Sequence, residues 1–301
     1  MRVAALDLGT NTTRLLVADV EDGHVSEVER RTEITRLGEG VDERRKLLPL
    51  PIARVRNVLS DYRRALEGHG AERALLVATS AVRDAENGEA FLGEIEWSYG
   101  FSTRLLSGDE EAALVRRGVA TGADVDTGTL IVDIGGGSTE LILGDRHLSL
   151  DHGSVRLTER FGEEVEAIRA HARAVLPAIE PQRAVGVAGT VTTIAALDLG
   201  LTEYDPARVH GHVIPRDAVE RELARLAALP LEERRRLPGL EPGRAPVIVA
   251  GASILAELLA VYGLDAIRAS ERDLLDGAAL EAAELPEPEE GAAPPGAYTC
   301  C

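Results

Sequence analysis

The chain has 301 residues, 45% of them apolar and 28% charged, enough to build two cores of about 100–150 residues each. Its formal net charge is −18, and Lys46 is the only lysine among 33 basic residues, a balance that excludes general nucleic-acid binding through a basic surface. No apolar run approaches the roughly 20 residues of a bilayer span, and Met1-Arg2 leads straight into a short apolar run without the long stretch of a secretory leader, so a cytoplasmic protein without a membrane partner is expected.

The first elements in chain order form a hairpin. Residues 3–6 read as a strand, Asp7-Leu-Gly-Thr-Asn-Thr12 as a tight Gly-bearing turn, and 15–20 as the returning strand. Apolar spacing then predicts a helix over 51–66, a buried strand over 73–79, a helix over 86–99, a short strand over 102–106 and a helix over 110–120. Residues 124–127 are polar and turn-prone, the best linker in the chain.

The second half repeats the first. Asp133-Ile-Gly-Gly-Gly-Ser-Thr-Glu-Leu echoes Asp7-Leu-Gly-Thr-Asn-Thr-Thr-Arg-Leu, again between two apolar strands at 130–132 and 140–143. Helices are predicted over 163–179, 191–199, 216–228, 245–261 and 274–284, with strands over 184–188 and 266–269. Repetition of a whole supersecondary unit predicts two similar domains, and strands alternating with helices predict mixed sheets covered by helices. The expected division is 1–123, 124–285 and a disordered Pro/Glu/Gly-rich tail over 286–301. Both cysteines, Cys300 and Cys301, close that tail, so neither a disulfide framework nor thiol catalysis belongs to the folded body.

Chemistry concentrates at the two turns. Gly135, Gly136, Gly137 and Ser138 follow a strand directly, and glycines there let backbone N–H groups face an anion without side-chain obstruction. Thr10 and Asn11 hold the matching positions in the first turn. Asp7 and Asp133, at the strand tips beside these turns, suit a divalent cation or its water shell. The bland reading of either motif alone is a glycine hairpin with a capping Asp; two copies favour a pair of phosphate turns closing on one ligand. No Gly-x-x-x-x-Gly-Lys-[Ser/Thr] run exists, and the glycines open a hairpin and not a helix, which excludes P-loop and Rossmann readings. Gly189 and Thr190, opening a helix after a strand, are a third phosphate contact through their N–H groups. His210-Gly-His212 lies between Asp205-Pro206 and Pro215 and reads as a loop, not a metal pair. Ser80 lacks the turn of a hydrolase nucleophile, and Arg234-Arg235-Arg236 reads as a charged helix face.

The paired Asp-x-Gly hairpins resemble the actin, Hsp70 and sugar-kinase superfamily, and finer stretches resemble the exopolyphosphatase and guanosine pentaphosphate phosphatase (Ppx/GppA) family. Those stretches are Ala78-Thr-Ser-Ala-Val-Arg-Asp-Ala, Ser107-Gly-Asp-Glu-Glu-Ala, Val132-Asp-Ile-Gly-Gly-Gly-Ser-Thr-Glu-Leu, Gly153-Ser-Val-Arg-Leu-Thr-Glu and Val187-Ala-Gly-Thr-Val-Thr-Thr, in order across residues 3–285. The resemblance implies an α/β fold of two RNase H-like domains with mixed sheets and an interdomain cleft. It also implies a homodimer and a Mg²⁺ cofactor, with Mn²⁺ as a substitute. Glu111 matches the family's catalytic base, which would deprotonate a water aimed at phosphorus. Arg83 matches an arginine set against substrate phosphate, its alternative being an ion pair with Asp84 or Glu86. Glu140 helps place metal or water, and Glu110, about 100° round the helix, is left a capping role.

The substrate class is a small polyanion. Hydrolysis of terminal phosphate from inorganic polyphosphate is the leading expectation. Short chains are favoured because longer family members carry a further C-terminal region beyond the two domains. Guanosine pentaphosphate is the rival substrate, although an aromatic content of 3% offers little to stack guanine. A weakly catalytic polyphosphate or alarmone sensor is a third reading. An ATP-dependent sugar kinase is a fourth, and it leaves Arg83 and Glu111 without a role.

Overall fold

The structure, a computed structural model, describes residues 1–286. Those residues fold as two compact α/β units, Met1–Thr121 together with the chain from Leu274 onward, and Gly122–Asp273.

The first unit opens with strands β1 (Arg2–Leu8), β2 (Thr12–Glu21) and β3 (His24–Ile34), then helices α1 (Val41–Arg44) and α2 (Pro49–Gly68). Strand β4 (Arg73–Ala78), helices α3 (Ser80–Arg83) and α4 (Gly88–Tyr99), strand β5 (Ser102–Leu105) and helix α5 (Gly108–Val119) follow. The sheet order is β3-β2-β1-β4-β5. Its first three strands are antiparallel, and β1, β4 and β5 run parallel. Strand β1 is buried along almost its whole length, as a central strand covered on both faces must be. One face packs Leu6, Leu8, Leu15 and Leu76 against Val55, Leu59 and Tyr62 of α2 and Phe91 and Ile95 of α4. Strand β3 escaped the sequence reading because it is an edge strand whose His-Val-Ser-Glu-Val-Glu-Arg-Arg pattern is charged and largely exposed, as edge strands commonly are.

The second unit repeats this plan. Strands β6 (Thr129–Ile134), β7 (Thr139–Leu143) and β8 (Arg146–Leu150) form an antiparallel meander, followed by helices α6 (Ser154–Phe161) and α7 (Val165–Val175). Strand β9 (Arg183–Val187), helices α8 (Ala188–Asp198) and α9 (Pro206–Val209), strand β10 (Val213–Pro215) and helices α10 (Arg216–Ala228), α11 (Leu231–Arg234) and α12 (Ile248–Val261) lead to strand β11 (Ala266–Ala269). The order β10-β11-β9-β6-β7-β8 contains the first sheet's plan, three antiparallel strands and then two parallel ones, with β10 added at the edge. These are the two similar mixed sheets that the repeated motifs implied. Helix α12 is buried from Ile248 to Leu259, which is why its sequence is apolar all round and shows no helical stripe.

The chain then returns. Helix α13 (Leu274–Glu284) packs on β1, β2, β4 and α5 of the first unit. Gly277 sits so close to α5 that an added Cβ would lie 2.0 Å from the Leu114 carbonyl oxygen. Arg30 Nη2 donates to both carboxylate oxygens of Asp276, at 3.1 and 3.0 Å. The expected division grouped 124–285 together; the contacts group α13 with residues 1–121, since its apolar face covers the second side of the first sheet. Residues 124–127, expected as a linker, fall inside the second unit, where Asp126 Oδ1 accepts from Thr129 Oγ1 at 2.6 Å. The tail expected over 286–301 lies, beyond Pro286, outside the described residues. Among the described residues no helix is long and apolar enough to cross a membrane.

Arg234 departs from the expected charged helix face. It is 0% exposed and ion-paired through Nη2 to Glu163, so that only Arg235 and Arg236 remain at the surface of that run.

Candidate active site

In the first unit the site residues gather at the C-terminal ends of the parallel strands, the end of an open α/β sheet where ligands bind. Asp7 is opposite Val77 in the β1–β4 register and opposite Arg14 in the β1–β2 register. Cross-strand partners share a face of the sheet, and Arg14 exploits this: Nε and Nη2 both lie 2.8 Å from Asp7 Oδ2. The turn between them is closed by Gly9 N donating to Thr12 O at 2.9 Å. Its outer side is held by the chain beyond β3, where Thr35 N and Arg36 N donate to Asn11 O and Gly38 N donates to Thr10 O.

Helix α3 joins this turn to the remaining residues. Thr10 Oγ1 and Ser80 Oγ are 2.9 Å apart in a buried hydroxyl pair, which ties Ser80 to the turn as a support. At the other end of the same short helix Arg83 Nη1 donates to Leu106 O at 2.7 Å and to Glu111 Oε2 at 3.2 Å. Glu111 is 7% exposed, whereas a solvated glutamate would be open to water. Arg83 therefore pairs with Glu111, and not with Asp84 or Glu86.

Glu110 has the separate task expected of it. Ser107 caps α5 and forms a capping box with Glu110, satisfying two orphan amides of the first turn reciprocally. The Ser107 amide, the Ser107 hydroxyl and Arg104 together hold the Glu110 carboxyl down at about 2.

In the second unit Asp133 is opposite Glu140 in the β6–β7 register, the position that Arg14 fills in the first. The two hairpins thus share geometry and differ in charge: one strand-tip aspartate faces a fixed cation, the other a second carboxylate. Asp133 and Glu140 are 7% and 1% exposed, and Ser149 Oγ donates to Glu140 Oε1 at 2.9 Å. Gly135 N donates to Ser138 O at 3.0 Å, closing the glycine turn.

Asp133 is also paired with Val187 at the end of β9, which brings Gly189 and Thr190 to the same strand ends. Ala188 has φ +62°, a left-handed conformation that costs a non-glycine residue about 1 kcal/mol, and α8 starts there. Thr190 is buried, and its Oγ1 lies 2.4 Å from where a Gly251 Cβ would stand, so that only glycine fits at 251. Over this helix start lies a residue that the sequence reading missed: Arg244, whose Nη1 occupies the place of a Gly189 Cβ, 1.3 Å from it. Glu241 holds Arg244 Nε at 3.0 Å. The signal was faint, a single arginine in the Pro/Gly-rich run before α12 and 55 residues from Gly189 in the sequence.

His210 and His212 go separate ways. His210 Nδ1 accepts from Glu271 N at 3.2 Å, and His212 Nε2 lies 2.8 Å from Asp198 Oδ2. Among the described residues no group of three or more His, Cys, Asp or Glu side chains is arranged to hold a metal ion. Mg²⁺ does not need one, because it is bound through one or two carboxylates, its own waters and substrate phosphates. Each unit carries buried oxygen donors of the kind that cation takes, Asp7 in the first and Asp133 with Glu140 in the second.

The family model described as the Ppx/GppA phosphatase family matches residues 16–284. The chain is 38% identical over 315 aligned positions to "Exopolyphosphatase 2" of Mycobacterium tuberculosis (strain ATCC 25618 / H37Rv), covering 94% of this chain and 98% of that one. It is 30% identical to "Guanosine-5'-triphosphate,3'-diphosphate pyrophosphatase" of Vibrio vulnificus (strain YJ016), covering 92% of this chain and 58% of the longer relative. The crystal structure of the Aquifex aeolicus Ppx/GppA family member superposes with a TM-score of 0.78 at 31% identity, covering 94% of this chain and 98% of that one. With its twin Asp-x-Gly turns and the Arg83–Glu111 pair in place, the chain belongs to the Ppx/GppA phosphatase family.

Proposed function

We propose that this protein is an exopolyphosphatase, which removes the terminal phosphate of inorganic polyphosphate by attack of water. The observation that carries the reading is the contact of half-buried Arg83 with buried Glu111 next to the Asp7 turn, a base held against a phosphate-binding guanidinium. In this mechanism the water oxygen forms a bond to the terminal phosphorus as Glu111 takes one of its protons. The bond from that phosphorus to the bridging oxygen breaks, and the oxygen leaves on the shortened chain as a phosphate oxygen that needs no proton. The products are orthophosphate and a chain one unit shorter.

Phosphoryl transfer asks mainly for positioning and charge compensation. Thr10, Asn11, the 135–138 turn and the amides of Gly189 and Thr190 bind phosphate oxygens, joined by Arg244 from above α8. Arg83 compensates charge as the bond breaks. The carboxylates that would serve Mg²⁺, or Mn²⁺ in its place, are Asp7 in the first unit and Asp133 with Glu140 in the second, and the bound cation would neutralise phosphate charge. A cytoplasmic homodimer belongs to the same proposal, its assembly measurable by light scattering.

The deciding assay supplies the purified protein and Mg²⁺ with short polyphosphate, long polyphosphate, guanosine pentaphosphate, and ATP with sugars, and measures orthophosphate beside a Glu111→Gln control. Release from polyphosphate that Glu111→Gln abolishes is the expected result. Preferential release from guanosine pentaphosphate would transfer the activity to that substrate. Release from none would leave a ligand-binding sensor, and sugar phosphate from ATP would make the protein a kinase.

A further inference from the structure

Helix α6 has no side-chain cap, and its first amides, which no helical carbonyl can reach, are taken by the glycine turn. Ser154 N donates to Gly135 O at 2.9 Å, and Val155 N and Arg156 N donate to Gly136 O at 2.8 and 3.1 Å. Two side chains add to this: Ser154 Oγ donates to Gly135 O at 3.2 Å, and Arg156 Nε to Gly137 O at 2.8 Å. The carbonyls of Gly135, Gly136 and Gly137 are all drawn to one helix start.

A trans peptide is planar, with its N–H opposite its C=O. The amides of Gly136, Gly137 and Ser138 therefore point away from α6, and among the described residues none of them meets an acceptor. Successive backbone N–H groups turned the same way make an anion-binding concavity. Gly153 permits the arrangement, since a Cβ there would lie 2.2 Å from Gly136 O and 2.4 Å from Gly137 N. A side chain at 153 would push the turn off its support.

We propose that Gly153, Ser154 and Arg156 are positioning residues for phosphate, acting through the turn behind which they sit: they fix the direction of the 136–138 amides without touching substrate themselves. The proposal rests on the reading of that turn as a phosphate site. Arg156 matters most, because its Nε alone orients the last peptide of the three and so the Ser138 amide.

The test measures binding without turnover. In a Glu111→Gln background, inorganic tripolyphosphate is titrated by calorimetry against the parent, Gly153→Ala, Arg156→Ala and Arg156→Lys, with the unfolding temperature of each. Arg156→Ala is expected to weaken binding roughly tenfold, about the worth of one hydrogen bond to a charged group, and Arg156→Lys, which keeps a donor, to recover part of it. In the active enzyme the same Arg156→Ala change raises KM with little change in kcat and an unchanged pH profile. Gly153→Ala weakens binding further, and where it fails to fold the Arg156 pair decides. Parental affinity in Arg156→Ala, with or without a lower unfolding temperature, would overturn the proposal. A parent that binds no tripolyphosphate brings down the phosphate reading of the turn, a result distinct from a parent that binds and variants that match it.

Discussion

Arg83 Nη1 sits between the Leu106 carbonyl oxygen and Glu111 Oε2, 2.7 Å from one and 3.2 Å from the other, so the candidate base is held by the same side chain that would meet substrate phosphate. Glu111→Gln keeps the shape and removes the basic oxygen. It is expected to lower kcat by about 10²–10⁴-fold, the usual worth of a positioned general base. Arg83→Gln should also lower kcat, because the charge developing on phosphate loses its guanidinium and Glu111 loses the side chain that positions it. Steady-state kinetics check both.

The twin hairpins predict opposite responses to charge removal. Arg14→Met removes the guanidinium that faces the Asp7 carboxylate, 3% exposed, and is expected to destabilise the fold by about 3 kcal/mol, the usual cost of breaking a buried ion pair on one side. Glu140→Gln relieves a carboxylate pair and should leave stability nearly unchanged while weakening Mn²⁺ binding. Urea unfolding and metal titration by electron paramagnetic resonance separate the two. Equal metal loss in Arg14→Met and Glu140→Gln would contradict the charge difference between the hairpins.

At the start of α5 the capping box sets an acid limit. Glu110 is held at about 2 against an ordinary 4.5, so its stabilising effect is complete above about 4.5 and drains away as pH falls toward 2. Ser107→Ala removes the hydroxyl half of the box and should cost about 1 kcal/mol at neutral pH. The variant should also lose less stability than the parent between those two pH values, read by denaturant midpoints.

His152 gives a second, higher window. Burial first and the neighbouring His171 second push it below its ordinary 6.5, with Asp151 opposing and Arg160 and Arg156 adding to the shift. The His152 and His171 rings stack at 4.5 Å, leaving no room for two charges. The unfolded chain binds the extra proton, so stability is full above 6.5 and falls as pH drops below it. His152→Phe should flatten that decline in thermal midpoints measured over about pH 5–8.

The two hairpins were legible because the repeat spells out both turn and charge: Asp7 and Asp133, Gly9 and Gly135, Thr13 and Thr139 recur at the same spacing. Helices with one apolar face, such as α2 and α10, were legible for the same periodic reason. The companions of the turns were not. Arg156 and Arg244 act across chain separations that no period encodes, and the helix that holds the glycine carbonyls, α6, begins at a Gly-Ser pair that reads as an ordinary loop. The Arg83–Glu111 contact was hidden because each residue taken alone has a nearer charge of opposite sign. The destination of α13 was invisible because an apolar helix announces burial without naming the sheet it will cover.

That last helix fixes an order of assembly. Residues 122–273 form an insertion within the first unit, so during synthesis the inserted unit is complete before the first has received its closing helix. Until α13 emerges, one side of the β1–β2–β4 surface waits uncovered, and chain breaks near the C-terminus will expose the fold built by the N-terminus. A nascent chain stalled just after Asp273 should therefore yield a protease-resistant second unit and a protease-sensitive first one.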